Sequence, residues 1–270
     1  MVGKALCNEL FGDTRFSDAL EIIRRTGFDG VEIAPHTLFG DFSGDLRRKI
    51  VEIRRAMDGE GVAFAGFHWL LVGPADLHIT TPEADVRRRS WDHIRKLADL
   101  AGELGGGPMT LGSPAQRSSR GCSIPQAVSY LTDGLREVAE HVASTGSVLL
   151  PEALPRSQSD VMNTLDEARK IIDEVSSPGV SGMFDFHNTE DEQASWGELI
   201  GSYRDYLTHV HLNAPDGGIP GRPDEDYRQA FKALDDIGYK GWISLEIFTT
   251  PTDPEAALRT VVDFLGHFSV

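Results

Sequence analysis

The chain has 270 residues, with 26 Lys and Arg against 42 Asp and Glu, a formal charge of −16. Hydrophobic residues at 40% and charged residues at 25% are ordinary globular usage and exclude a disordered or fibrous chain, and no apolar run reaches the ~18 residues of a spanning helix. So acidic a balance argues against nucleic acid as a main partner, because phosphate binding needs a basic face.

Taken in order, short apolar runs fall at Ala5–Cys7, Val31–Ala34, Val62–Phe67, Met109–Leu111, Val148–Leu150, Ser181–Phe184, Leu207–Leu212 and Trp242–Ile247. They lie about 25 to 45 residues apart, the length of one strand-plus-helix repeat. Helical spacing fills the gaps. Asp18 reads as the cap of a first helix carrying Ala19, Leu20, Ile22 and Ile23, with Gly27 as its end. Ile94, Leu97, Ala98, Ala101 and Leu104 share one helical face, and Leu165, Ala168, Ile171, Ile172 and Val175 another, with Asp166, Glu167 and Lys170 turned to water. Eight such units predict a (β/α)8 TIM barrel, one α/β domain over residues 1–270. A doubly wound sheet would show a glycine-rich turn after its first strand, where this chain has Cys7-Asn8-Glu9-Leu10-Phe11. Glu9 also falls where a signal peptide would keep its apolar run, so a soluble, cytoplasmic protein is expected, without membrane association. The two cysteines are too few for a disulfide framework. Cys7 is expected in the core and Cys122 in a loop.

Barrels of this kind carry their active sites at the C-terminal ends of the strands. The fifth run ends in Glu152, the sixth in Asp185, the seventh holds His209 and His211, and the eighth holds Glu246. Carboxylates gathered at one barrel mouth would repel each other, and a divalent cation removes that conflict. Oxygen ligands with one imidazole suit Mn²⁺, Mg²⁺ or Co²⁺ better than a thiolate-preferring metal, and Mn²⁺ is the expected ion. Glu152, Asp185, His211 and Glu246 are therefore the expected metal ligands. His68 and Trp69, after the third run, are candidate walls of a substrate pocket. Glu32 and His36 are candidates for its floor, and the Arg117–Arg120 stretch reads as surface charge. The Gly217-Gly218 loop sits where barrels often bind phosphate, but Asp216 beside it favours an unphosphorylated substrate.

The sequence also resembles the xylose isomerase-like TIM-barrel superfamily, and within it the ketose 3-epimerases of the D-tagatose and D-psicose type. The matching segments are Gly27-Phe28-Asp29-Gly30-Val31-Glu32-Ile33-Ala34-Pro35-His36, Glu152-Ala153-Leu154-Pro155-Arg156, Asp160-Val161-Met162-Asn163-Thr164, Asp185-Phe186-His187, His209-Val210-His211-Leu212, Pro220-Gly221-Arg222 and Gly238-Tyr239-Lys240-Gly241-Trp242-Ile243-Ser244-Leu245-Glu246. The resemblance implies a metal-dependent epimerase or isomerase of a keto-sugar, acting through an enediolate. Glu152 and Glu246 would double as acid/base groups, while His187 and Arg222 would contact substrate oxygens. It further implies a homo-oligomer, a dimer or tetramer. Two departures stand out: Asp185 and His187 are one residue apart where those epimerases usually have two, and Gln158 sits where they tend to have a glutamate. A lyase of the same superfamily, similar to inosose dehydratases or to C-glycoside deglycosidases acting on 3-keto sugars, is the alternative.

Overall fold

In the computed structural model, which describes residues 2–268, strands and helices alternate along the chain. They are β1 (Gly3–Cys7), α1 (Phe16–Thr26), β2 (Gly30–Ile33), α2 (Pro35–Phe39), α3 (Leu46–Glu60), β3 (Ala63–Phe67), α4 (Ala84–Glu103), β4 (Pro108–Leu111), α5 (Ile124–Ser144), β5 (Val148–Pro151), α6 (Leu165–Val175), β6 (Gly182–Asp185), α7 (Trp196–Ser202), β7 (Leu207–Leu212), α8 (Glu225–Asp236), β8 (Trp242–Leu245) and α9 (Pro254–Leu265). Each expected apolar run overlaps a strand, the pairings are parallel, and the alternation is that of a (β/α)8 barrel.

By packing, the chain divides into two compact units, residues 1–33, 52–65 and 183–270 in one and 34–51 and 66–182 in the other. The first has strand order β2-β1-β8-β7-β6, with Cys7 opposite Glu32, Leu6 opposite Leu245 and His211 opposite Ser244. Side chains alternate along a strand, so His209 and His211 share a face, as do Ser244 and Glu246. Outside the sheet, Phe186 packs on Trp196, Tyr227 and Phe231, and Phe268 stacks on Phe231 at 4.0 Å. The Trp196 indole donates to Thr189 Oγ1 at 2.9 Å and the Tyr227 hydroxyl to the Asn213 carbonyl at 2.8 Å, so this aromatic layer fixes the turns that follow β6 and β7. In the second unit the order is β5-β4-β3, with Phe67 opposite Met109 and Thr110 opposite Leu150.

Helix signals held unevenly. Leu165, Ala168, Ile171, Ile172 and Val175 are all buried, and the Thr164 side chain accepts from the Glu167 N–H to cap α6. Gly27 ends α1 with a φ of 89°, a left-handed value that favours glycine. Asp18, however, is not the cap. The helix starts two residues earlier, Arg15 occupies the cap position, and Asp18 pairs with Arg15 at 2.9 Å inside the first turn, where a negative charge still opposes the helix dipole. Leu104 lies just past α4 as its C-terminal cap and is half-buried. Among the described residues no helix is long and apolar enough to cross a membrane.

One buried titratable group in the second unit has a measurable consequence. His93 on α4 donates from Nε2 to the Leu70 carbonyl at 3.1 Å and meets the Phe42 ring edge-on at 4.6 Å. Burial, with help from nearby Lys96, pushes its pKa from 6.5 down to about 4. In the unfolded chain the imidazole regains its ordinary value, so between these two pH values the unfolded state binds a proton that the folded state refuses. Stability therefore falls as pH falls through this window, by about 3 kcal/mol once complete. Urea unfolding at pH 7 and pH 5 is expected to show this slope, and His93→Gln should flatten it.

Candidate metal centre

Three of the residues singled out by their strand-end positions come together in the first unit. Asp185 is the last residue of β6, His211 lies on β7 and Glu246 follows β8 directly. Each offers a ligand atom, and these atoms lie within 4.8 Å of one another, all buried. His211 Nδ1 is 3.1 Å from Glu246 Oε2 and 3.7 Å from Asp185 Oδ2. Burial alone would lower the His211 pKa, but Glu32 and Glu246 outweigh it and hold it well above the usual value. Two carboxylates and an imidazole, closed off from water, call for a cation, and the donor set fits a hard divalent one.

Behind His211 lies a second layer. Glu32, fully buried on β2, accepts from His209 Nε2 at 2.8 Å and from His211 Nε2 at 3.2 Å. Burial would raise its pKa, yet the two imidazoles hold it well below the carboxylate range. The Cys7 thiol donates toward Glu32 Oε2 at 3.8 Å, and burial followed by the Glu32 and Glu246 charges pushes it up, so it stays a thiol. Cys7 is thus in the core as expected, and half-buried Cys122 donates to the Thr80 carbonyl.

Asp185 is held in place as well: its Oδ1 accepts from the His187 N–H at 2.7 Å and its Oδ2 from Asn188 Nδ2 at 3.1 Å. His187, half-buried, donates from Nδ1 to the Pro215 carbonyl at 2.8 Å and sits edge-on to Phe248. Arg222 is exposed in the loop before α8. In the neighbouring loop the Gly218 N–H already donates to Asp216 Oδ1 at 3.0 Å.

In the second unit, Glu152 is buried directly after β5. A Cβ at Gly112 would lie 2.2 Å from Glu152 Oε2, so only glycine leaves the carboxylate its place. His68 is buried and Trp69 half-buried, the latter with a φ of 52°. Gln158 is exposed in the loop after β5. Asn163 braces that loop by donating to the Leu154 and Ser159 carbonyls at 2.8 and 2.7 Å.

Arg117 contradicts its reading as surface charge. It is fully buried, the largest such side chain among the described residues. Its Nη1 donates to the Leu111 carbonyl at 3.0 Å, while Nε and Nη2 have no hydrogen-bond partner among the described residues. Burial lowers its pKa to about 10, and the Glu152 charge pulls the other way. The loop Gly112-Ser113-Pro114-Ala115-Gln116-Arg117-Ser118-Ser119 has no period and no acidic neighbour, so only the coincidence of one cation with small residues hinted at burial.

Known proteins resemble this chain over most of its length. The family described as xylose isomerase-like TIM barrel matches residues 20–267. The chain belongs to that family. Xylose isomerase-like relatives include D-psicose 3-epimerase of Ruminiclostridium cellulolyticum, 27% identical over 85% of this chain and 77% of the relative. Another is 3-dehydro-D-guloside 4-epimerase of Escherichia coli K12, 26% identical over 96% of this chain and 97% of the relative. The structure of D-psicose 3-epimerase with D-tagatose from Clostridium cellulolyticum H10 superposes with a TM-score of 0.85 over 99% of both chains at 19% identity, which fixes the fold as the (β/α)8 barrel. With relatives that are epimerases, the expectation of an enzyme of the isomerase class holds.

Proposed function

We propose that this chain is a divalent-metal-dependent epimerase of an unphosphorylated keto-sugar. The observation that carries the reading is the convergence of Asp185, His211 and Glu246, found in a chain whose relatives act on D-psicose and on a 3-dehydro-D-guloside. Glu152, buried after β5, is proposed as the fourth ligand, and Mn²⁺ as the ion. A cation in this setting supplies the positive charge that makes the C–H beside the substrate carbonyl more acidic and stabilises the enediolate. Glu246 and Glu152 do the proton work: one carboxylate takes the proton from that carbon, and the other, as the acid, returns one to its opposite face. The carbon is inverted and no bond to oxygen is lost.

His187 is proposed to meet a substrate oxygen, its ring held by Pro215 and Phe248. His68 and Trp69 are proposed as pocket walls, with Arg222 and Gln158 reaching sugar hydroxyls from their loops. Asp216, an acid already engaged with the Gly218 N–H, supports a substrate without phosphate. The single family match over 20–267 supports one catalytic domain across 1–270, and the reading keeps a cytoplasmic homo-oligomer, which size-exclusion chromatography would test.

The deciding experiment is proton NMR in D₂O with the Mn²⁺-loaded enzyme, free ketoses and 3-keto-glycosides. Solvent deuterium is expected at a carbon next to the carbonyl, with the epimer as product. A new alkene or a released aglycone would move the assignment to the lyases, and loss of all exchange on metal removal is expected with either outcome.

A further inference from the structure

A histidine that binds a metal through one nitrogen must keep its proton on the other, and the group facing that other nitrogen decides whether it does. His211 has both nitrogens spoken for. Its Nδ1 faces Glu246 Oε2 at 3.1 Å and Asp185 Oδ2 at 3.7 Å. Its Nε2 lies 3.2 Å from each oxygen of Glu32. A carboxylate without a proton only accepts, so opposite Nε2 it selects the imidazole form that carries hydrogen there.

We infer that Glu32 is a positioning residue, which holds His211 with Nε2 protonated and the Nδ1 lone pair turned toward the divalent ion. This rests on the metal reading proposed above. Glu32 is in turn held from three sides. His209 Nε2 donates to its Oε2 at 2.8 Å, the Cys7 thiol donates to the same oxygen at 3.8 Å, and His211 supplies the third contact. Glu32, His209, His211 and Ser244 are all fully buried, and Cys7 nearly so. Water therefore has no access to take over the role of any of them. The strand pairing supplies the register: Cys7 lies opposite Glu32, and His211 opposite Ser244, whose hydroxyl is 3.8 Å from the same thiol. The arrangement reaches from β2 through β1 and β7 to β8. It explains why an acid stands among the apolar residues Val31, Ile33 and Ala34.

The test uses the full chain freed of metal and reloaded. Mn²⁺ affinity is measured by competition with a fluorescent chelator for the wild type, Glu32→Gln, Glu32→Asp and His209→Gln. Glutamine fills the same volume but can turn an N–H on Nε2 and drive the imidazole proton to Nδ1. The expected result is about 10- to 100-fold weaker binding for Glu32→Gln, partial recovery in Glu32→Asp, and a smaller loss in His209→Gln, which leaves the Glu32–His211 contact intact. In the Zn²⁺-loaded wild type, long-range ¹H–¹⁵N correlation should place the His211 proton on Nε2. Equal affinity in the wild type and Glu32→Gln, or a proton on Nδ1, overturns the role of Glu32 and leaves the metal site standing. A wild type that binds no ion overturns both. Should Glu32→Gln fail to fold, a His211 proton found on Nδ1 in the wild type overturns the inference on its own.

Discussion

Glu246→Gln is expected to lower kcat about 1,000-fold at saturating metal, in the range of losing a positioned acid or base, while the protein stays folded. The amide is nearly isosteric and keeps one oxygen near His211 Nδ1, where the carboxylate now sits at 3.1 Å. It cannot take up a proton from carbon, and it brings an N–H where an acceptor stood. Two effects therefore combine, weaker hold on the cation and loss of the base. Raising Mn²⁺ separates them: affinity recovers by mass action, but turnover does not. Steady-state kinetics across a metal titration, with circular dichroism as the folding control, is the measurement. A variant that regains full turnover at high metal would reduce Glu246 to a ligand.

The largest effect on stability is expected at Arg117. Arg117→Met should cost about 3 kcal/mol, the scale of leaving a buried acceptor without its donor beside a buried carboxylate. Methionine fills much of the volume, so the loss is electrostatic rather than a cavity. Without the guanidinium, the buried Glu152 carboxylate loses the cation whose field it shares, and the Leu111 carbonyl loses its donor. The Ser159 hydroxyl, 2.6 Å from the Arg117 carbonyl, bonds to the backbone and is kept. Adding Glu152→Gln to Arg117→Met should therefore cost less than the two single changes together. A double-mutant cycle by urea unfolding reads this directly, and strict additivity would separate the two residues.

The barrel was legible from its repeat, and the strand-end cluster because it breaks a pattern. Asp185, His211 and Glu246 interrupt apolar runs at places where a polar side chain is costly to bury, so each stands out on its own strand. The outlying contacts are different in kind. Arg222 and Gln158 sit on exposed loops, where polar residues are the norm and spacing carries no information on where they reach. Arg117 was misread for the same reason, since a loop offers no period from which burial follows. Asp18 failed by position alone: an acid in the first turn and an acid at the cap give the same sequence signal, and only the backbone start at Phe16 separates them. Glu32 stood out as a candidate for the pocket floor, but its two imidazole partners come from a strand 177 and 179 residues away, a pairing that local reading does not supply.

The contrast between the two sulfur atoms has a practical side. Cys7 is walled in and kept protonated by the acids around it, while Cys122 lies part-way to solvent. A maleimide or iodoacetamide reagent applied to the native protein is expected to label Cys122 ahead of Cys7. The wild-type chain thus carries its own attachment point for a fluorophore or spin label, with no cysteine to be engineered in or out.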